Sequence, residues 1–180
     1  MRPDERERVW LRPLALDDAQ TIARWGADEA FCLAAGWTVG RDREAHVSFQ
    51  QRLISQPPPD LVRLGVQRHD DLVGYVDLHG DEPARRELGF VIGPRALWGR
   101  GIGTQAARAG LLHGFTVMHL QEIWAEALEA NVASTVILSK VGMTETGPGP
   151  NGEYAGIPSR YRQFSINADE FVPIAAHAQS

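Results

Sequence analysis

"ALWGRGIGTQAAR", residues 96–108, decides how the chain is read. Gly99, Gly101 and Gly103 stand at alternating positions, with Arg100 between the first two and a helix-forming run directly behind. A flexible linker accounts for the glycines but not for that order. The first N–H groups of a helix have no intrahelical partner and carry partial positive charge, so they make a natural anion site. Glycine lets a backbone approach an anion closely, because no Cβ intervenes and positive φ is cheap. Arg100 adds a charge-assisted donor. The stretch therefore reads as a strand ending at Ile92, a loop "WGRGIGT" and a helix starting near Gly103, arranged around a phosphate. Two better-known phosphate loops do not fit. No Gly-Lys-Ser/Thr follows, and glycines spaced by two are not the Gly-x-Gly-x-x-Gly of dinucleotide folds.

Working outward from the loop, "TQAARAGLLHGFTVMH" puts Ala107, Leu111, Phe115 and Met118 on one helical face. "EIWAEALE" alternates as a strand. "NVASTVILSKVGM" reads as a short helix with Asn131 as N-cap, Ser134, Ile137, Leu138 and Val141 on one face, Lys140 in the last turn and Gly142 at a left-handed stop. "RYRQFSIN" closes the sheet. Before the loop, "LVRLGVQRHDDLVGYVDLHG" is a hairpin around His69, Asp70 and Asp71, and "RRELGFVIG" is a third strand. Gly89 inside that strand marks a bulge or a close backbone approach. At the N-terminal end, "VWLRPL" alternates as a strand. "LDDAQTIARWGAD" then reads as a helix capped by Asp17, with Gln20 completing a capping box and Ala19, Ile22 and Ala23 facing inward. Residues 31–56 are helical or irregular and end in "QPPPD".

The predicted order is β-α-(α)-β-β-β-α-β-α-β, an α/β (α+β) fold whose mixed sheet carries helices on its faces. Only the step through the Gly-rich helix demands a crossover to a parallel neighbour. At 180 residues, a single domain over 1–180 is expected, with a core of about 9–167 and a loosely held tail over 168–180. No apolar run approaches the roughly 20 residues of a membrane span. "MRPDERERVW" lacks the apolar stretch of a secretory signal. The lone Cys32 makes no internal disulfide, and no Cys/His cluster has metal-ligand spacing, so no metal and a cytoplasmic location are expected. The net charge of −5 argues against nucleic acid as a direct partner and is compatible with a cationic substrate.

"WGRGIGTQA" after "ELGFVIG" resembles the acetyl-CoA signature of the GNAT N-acetyltransferases, and "NVASTVILSKVGM" is similar to their N-x-x-S-x-x-x-x-x-K-x-G helix. The similarity covers roughly Val9 to Ile166. It is nearest to the Rim-type branch, in which tryptophan is common at the position of Trp98 and whose members acetylate ribosomal-protein N-termini or small molecules. It implies the GNAT fold, a mixed central sheet of about six to seven strands with helices on both faces, and acetyl-CoA as co-substrate. It further implies that the main chain of Val91, Ile92 and Gly93 pairs with the pantetheine arm in a V-shaped opening of the sheet. Gly99, Arg100, Gly101, Ile102, Gly103 and Thr104 would hold the pyrophosphate, and Asn131 would contact the arm as well as capping its helix. The acceptor is a primary amine, either a peptide N-terminus or a small molecule, attacking directly in a ternary complex. Dimers are frequent among such relatives, so a homodimer stays open.

An alkylammonium has a pKa near 10, so acetyl transfer at neutral pH needs a base, and the departing thiolate needs a proton. By the resemblance, Glu87 is the leading base and Glu153, in "NGEY", a second one, while Ser134 protonates the thiolate. The N–H of Val91 is a candidate oxyanion donor. The tyrosine that many relatives carry four residues beyond Ser134 is Leu138 here, so a tyrosine acid has to come from Tyr154 or Tyr161. Trp25 and Trp37 are candidates for the acceptor pocket or for packing. His46, His69, His79, His113 and His119 show no ligand spacing. A non-catalytic CoA-binding sensor of the same fold is the alternative.

Overall fold

The structure, a computed structural model, describes residues 8–173. Residues 1–7, which carry most of the N-terminal signal reading, and the 174–180 part of the tail lie outside the described residues.

β2 (Leu61–Arg68) and β3 (Asp71–His79) form the expected hairpin, closed by His69 at φ 53° and Asp70. β4 (Arg85–Ile92) extends it to a three-strand meander. Gly89 stands opposite Asp77 in unbroken register, and a Cβ there would meet the Asp77 Cβ at an ordinary 3.6 Å. It marks neither a bulge nor a close approach; the register shift lies instead at Val66/Gln67 of β2. β1 (Trp10–Pro13) pairs with the outer side of β2. From β4 the chain crosses through α4 (Ile102–Thr116) to β5 (Glu122–Leu128), which lies parallel to β4. α5 (Val132–Lys140), β6 (Thr144–Tyr154) and β7 (Ile157–Asn167) complete a seven-stranded mixed sheet of order β1-β2-β3-β4-β5-β7-β6.

β6 has no counterpart in the strand order read from the sequence. Gly147, Pro148, Gly149 and Pro150 interrupt any alternation in "TETGPGPNGEY". The strand survives because it is an edge, where a proline's missing N–H faces away from the ladder, and its register slips at two places beside these residues.

α4 and α5 cover one face of the sheet. Ile102, Ala106, Ala107 and Leu111 of α4 and Leu138 of α5 share a core with Val76, Leu78, Leu88, Ile123, Ala125 and Phe164. α1 (Asp18–Trp25) and α2 (Glu29–Ala35) cover the other face, where Ile22, Trp25, Phe31 and Cys32 pack on Leu72 and Tyr75. α3 (Arg43–Ser55) lies behind α1, with Val47 against Ala19 and Ala23. The inward stripe read for α1 is thus present, but its capping box is not. Asp17 has helical φ and ψ and makes no side-chain cap. Asp18 instead reaches back out of the helix, accepting from the Ala15 N–H at 2.7 Å and binding the Arg12 guanidinium through both oxygens.

The first residues of the tail are also held, contrary to expectation. Ala168 donates to the Gln121 carbonyl at 2.9 Å, and Phe171 is buried with its ring 5.3 Å from Phe115. Among the described residues, no helix is long and apolar enough to cross a membrane.

One feature of the sheet positions the site. β4 and β5 pair only over Arg85–Glu122, Arg86–Ile123 and Glu87–Trp124. Beyond Glu87 the two strands part, and β5 stays bonded to β7 along its whole length. The sheet therefore opens as a fork with Glu87 at its closed end.

Candidate active site

Two adjoining cavities occupy the fork. The first, about 320 Å³, is lined by Phe90, Val91 and Ile92 of β4, by Trp98, Gly99, Gly101, Gly103 and Thr104, and by Asn131, Ser134 and Lys140 at α5. The second, about 230 Å³, lies between the end of α2 and β5. Its walls include Leu33 to Gly36, Gly89, Glu126, Glu153 and Tyr161. Ala34, Ala35, Phe90, Asn131, Ser134 and Tyr154 belong to both linings and form the wall between the cavities.

The three alternating glycines divide into two kinds. Gly99 (φ 74°) and Gly101 (φ 80°) adopt left-handed backbone, and a Cβ on either would meet nothing within 4 Å. Their need is conformational: an L-residue pays about 1–2 kcal/mol in that region. Gly101 is the N-cap of α4 and gives it no side-chain cap. The first N–H groups of a 15-residue helix therefore open on the first cavity without a side-chain acceptor. Gly103 serves packing instead, since a Cβ there would fall 2.8 Å from Ile137 Cδ1. Ile102 is fully buried beneath the loop, Thr104 lines the cavity, and Arg100 is exposed and lines neither cavity. The cation that does line the first cavity is Lys140, in the last turn of α5.

The register of β4 corrects the expected trio Val91, Ile92 and Gly93. The Gly93 N–H donates to the Val73 carbonyl at 2.9 Å. Antiparallel alternation then turns the main-chain groups of Val91, opposite Tyr75, toward β3 as well. Phe90 and Ile92 are the residues whose main chain faces the fork, whereas Val91, the expected oxyanion donor, turns its N–H toward β3. The Ile92 carbonyl accepts from the Trp98 indole N–H at 2.8 Å. Gly93 is required for packing: a Cβ there would lie 2.1 Å from a ring carbon of Trp25. Trp25 stacks on Tyr75 at 6.4 Å, and Trp37 packs edge-on against Phe31 at 4.9 Å and His46 at 4.6 Å. Neither tryptophan lines a cavity.

Asn131 caps α5 as expected, its side-chain oxygen accepting from the Ser134 N–H at 3.2 Å. Half-buried Ser134 and Tyr154 both line the two cavities, although they are twenty positions apart in sequence. Glu153 is exposed at the rim of the second cavity, and Tyr161 lines it. Glu87 lines neither cavity. It stands at the vertex of the fork, two residues from Gly89, which lines the second cavity. Burial pushes its carboxyl above the ordinary glutamate range, the negative charge of Glu126 adds to that, and His79 pulls the other way.

Glu126 was missed in the sequence. It lines the second cavity and accepts from Gln163 Nε2 at 3.1 Å. The signal was available: in "EIWAEALE", Ile123, Ala125 and Ala127 point inward, which leaves Glu126 on the open face. Cys32 is fully buried on the inner face of α2, donating to the Gly26 carbonyl at 3.3 Å, and burial pushes its thiol up, away from the thiolate. It is an inert packing group.

A family model for the acetyltransferase (GNAT) domain matches residues 8–144. The chain is 27% identical to the uncharacterized N-acetyltransferase p20 of Bacillus licheniformis over 151 residues, covering 78% of this chain and 82% of that protein. In structure it matches a GNAT-family acetyltransferase from Bacillus anthracis with a TM-score of 0.77 at 21% identity, covering 91% of this chain and 96% of the other. It also matches spermidine N-acetyltransferase from Vibrio cholerae, solved with CoA and spermine, with a TM-score of 0.77 at 17% identity over 91% and 97% of the two chains. The sheet, its crossover and its covering helices are those of the GNAT fold. The protein belongs to the GNAT family and is an acetyltransferase.

Proposed function

We propose that the chain is an N-acetyltransferase that moves an acetyl group from acetyl-CoA to a primary amine, with residues 1–180 as one domain. The observation that carries this reading is the bare N-terminus of α4, framed by left-handed Gly99 and Gly101 and opening into the cavity at the fork. The residues fit a CoA-type ligand. A diphosphate needs several donors on one short arc, and uncapped helix N–H groups beside Lys140 supply them. A pantetheine chain needs main-chain partners, and Phe90 and Ile92 turn theirs into the fork. CoA in the Vibrio cholerae relative supports the same assignment. Trp98, the alternating glycines and Ser134 support kinship with the Rim-type branch.

When bound, acetyl-CoA supplies an acetyl group activated as a thioester. The chain's own residues do the rest. The wall shared by the cavities brings donor and acceptor together, which removes the entropy cost of a bimolecular encounter. The N–H groups of Phe90 and Ile92 lie on the fork side of β4, where developing negative charge is stabilised without reorganisation. Glu87, held above the usual carboxylate range at the fork's vertex, takes up the proton that the acceptor ammonium loses, through water in the second cavity. Glu153 at the rim is a second route for that proton. Ser134 and Tyr154 hold hydroxyl protons at the dividing wall, where the thiolate leaves. Attack is direct, because the one thiol of the chain is sealed in the core.

The test is thiol release from acetyl-CoA over a panel of amines and peptides, with Glu87→Gln beside the wild type. Wild-type turnover is expected, with kcat lowered about a hundredfold or more in the variant and CoA affinity kept. The acid limb of the wild-type pH–rate profile should lie above the ordinary glutamate range, because a raised pKa delays formation of the base. Glu126→Gln should move that limb down. Acetyl-CoA uptake without turnover on any amine points to a sensor instead.

A further inference from the structure

We propose that the second cavity selects amines carrying more than one positive charge, with Glu126 as the residue that holds the second ammonium. The inference rests on the acetyltransferase reading and narrows its substrate class.

The two cavities differ in sign across their shared wall. The first has Lys140 and the positive end of α4. The second has Glu126 and Glu153 and no lysine or arginine in its lining. Two arginines on this face of the sheet, Arg63 and Arg85, are already engaged. Arg63 holds Asp77 at 2.7 Å and lies over the Tyr75 ring, while Arg85 spans Glu122 at 3.1 Å and Glu82 at 3.5 Å. Neither Glu87 nor Glu126 makes an ion pair with a described residue. A half-buried carboxylate without a cation carries a desolvation cost that a cationic ligand removes. Glu126 is also held in place rather than free to swing, because Gln163 Nε2 binds its Oε2 at 3.1 Å. Tyr154 and Tyr161 add ring faces that attract an ammonium.

With one nitrogen at the dividing wall, a second ammonium a few carbons away meets Glu126. A monoamine or a singly charged peptide N-terminus leaves that carboxylate unpaired.

The experiment measures kcat/KM for n-butylamine, 1,4-diaminobutane and an N-terminal alanine peptide, in low and high salt, for the wild type and for Glu126→Gln and Glu153→Gln. The diamine is expected to exceed the monoamine by about tenfold or more, through KM. The ratio should shrink as salt rises and should collapse in Glu126→Gln. Glu153→Gln, at an exposed rim position, should lower it only about twofold. Equal wild-type values for diamine and monoamine, or a ratio that salt does not move, would overturn the inference even if the Glu126 variant does not fold. A ratio that survives in a folded Glu126→Gln would overturn the role given to Glu126. Turnover of no amine at all, with CoA still bound, would remove the acetyltransferase reading and this inference with it.

Discussion

Helices α4 and α5 begin at the same cavity and are finished in opposite ways. α5, nine residues long, starts from Asn131, whose side chain spends itself on the Ser134 N–H at 3.2 Å. α4, fifteen residues long, starts from a glycine at φ 80° that offers its first turn nothing. An N-cap is worth about 1 kcal/mol to a helix, so a long helix without one forgoes stability. Under the proposed function, the difference shows what a diphosphate site requires: donors left unspent, on a helix stable enough through packing to do without them. Ile102, Ala106, Ala107 and Leu111, all fully buried, supply that packing in α4.

The bare start of α4 is most sensitive at Gly101. Valine there is β-branched in a left-handed position, which forces the first turn of α4 to rearrange. CoA affinity in Gly101→Val is expected to fall about a hundredfold by calorimetry, as two or more charge-assisted donors move out of reach. Asparagine tolerates left-handed backbone. Gly101→Asn should therefore cost about tenfold or less, and equal losses in both variants would show that conformation is not what the glycine provides.

Asn131 tests the other side. Removing the cap in Asn131→Ala should destabilise the protein by about 1 kcal/mol, a fall in Tm of roughly 2–4 °C for a chain of this size. Asn131→Asp keeps a cap and so should keep the Tm. If Asn131 also faces the cofactor, the aspartate should weaken CoA binding more than alanine does, by adding negative charge at the wall of the cavity. Equal CoA affinity in all three proteins would leave Asn131 as a helix cap alone.

The same contrast explains what the sequence made legible. Both helices were readable, because each announces its start by residue type and carries a run of apolar positions behind it. The meander and the parallel step were readable from β-rich runs and from the crossover that α4 enforces. β6 was not, because Gly147 to Pro150 erase the period-two signal that an edge strand can do without. In the site, the glycine loop was visible in the sequence, but the division of labour within it was not. Only packing shows that Gly103 faces Ile137 and that Gly93 makes room for Trp25. The shift from Val91 to Phe90 and Ile92 depends on hydrogen-bond phase, which residue identity does not encode. Glu126 escaped notice because a glutamate on the open face of a strand looks like any solvated charge until the fork and Gln163 are seen around it.

The smallest expected effect comes from Gly103, where the two helices touch. The atom that an added Cβ would meet, Ile137 Cδ1 at 2.8 Å, is the far end of a flexible side chain that also borders the first cavity. Rotating it away is cheap, and alanine is a better helix former than glycine by up to about 1 kcal/mol, less in the first turn where Gly103 stands. The two terms nearly cancel, so Gly103→Ala should change stability by less than about 0.5 kcal/mol and CoA affinity by about twofold, in a urea titration and by calorimetry. Gly103→Val removes the cancellation, because its branches reach past Ile137 Cδ1. Pairing it with Ile137→Ala should restore part of the loss, as expected of two residues in contact. A Gly103→Ala loss as large as that of Gly101→Val would mean that all three glycines serve backbone conformation, and the distinction between the two ends of the loop would fall.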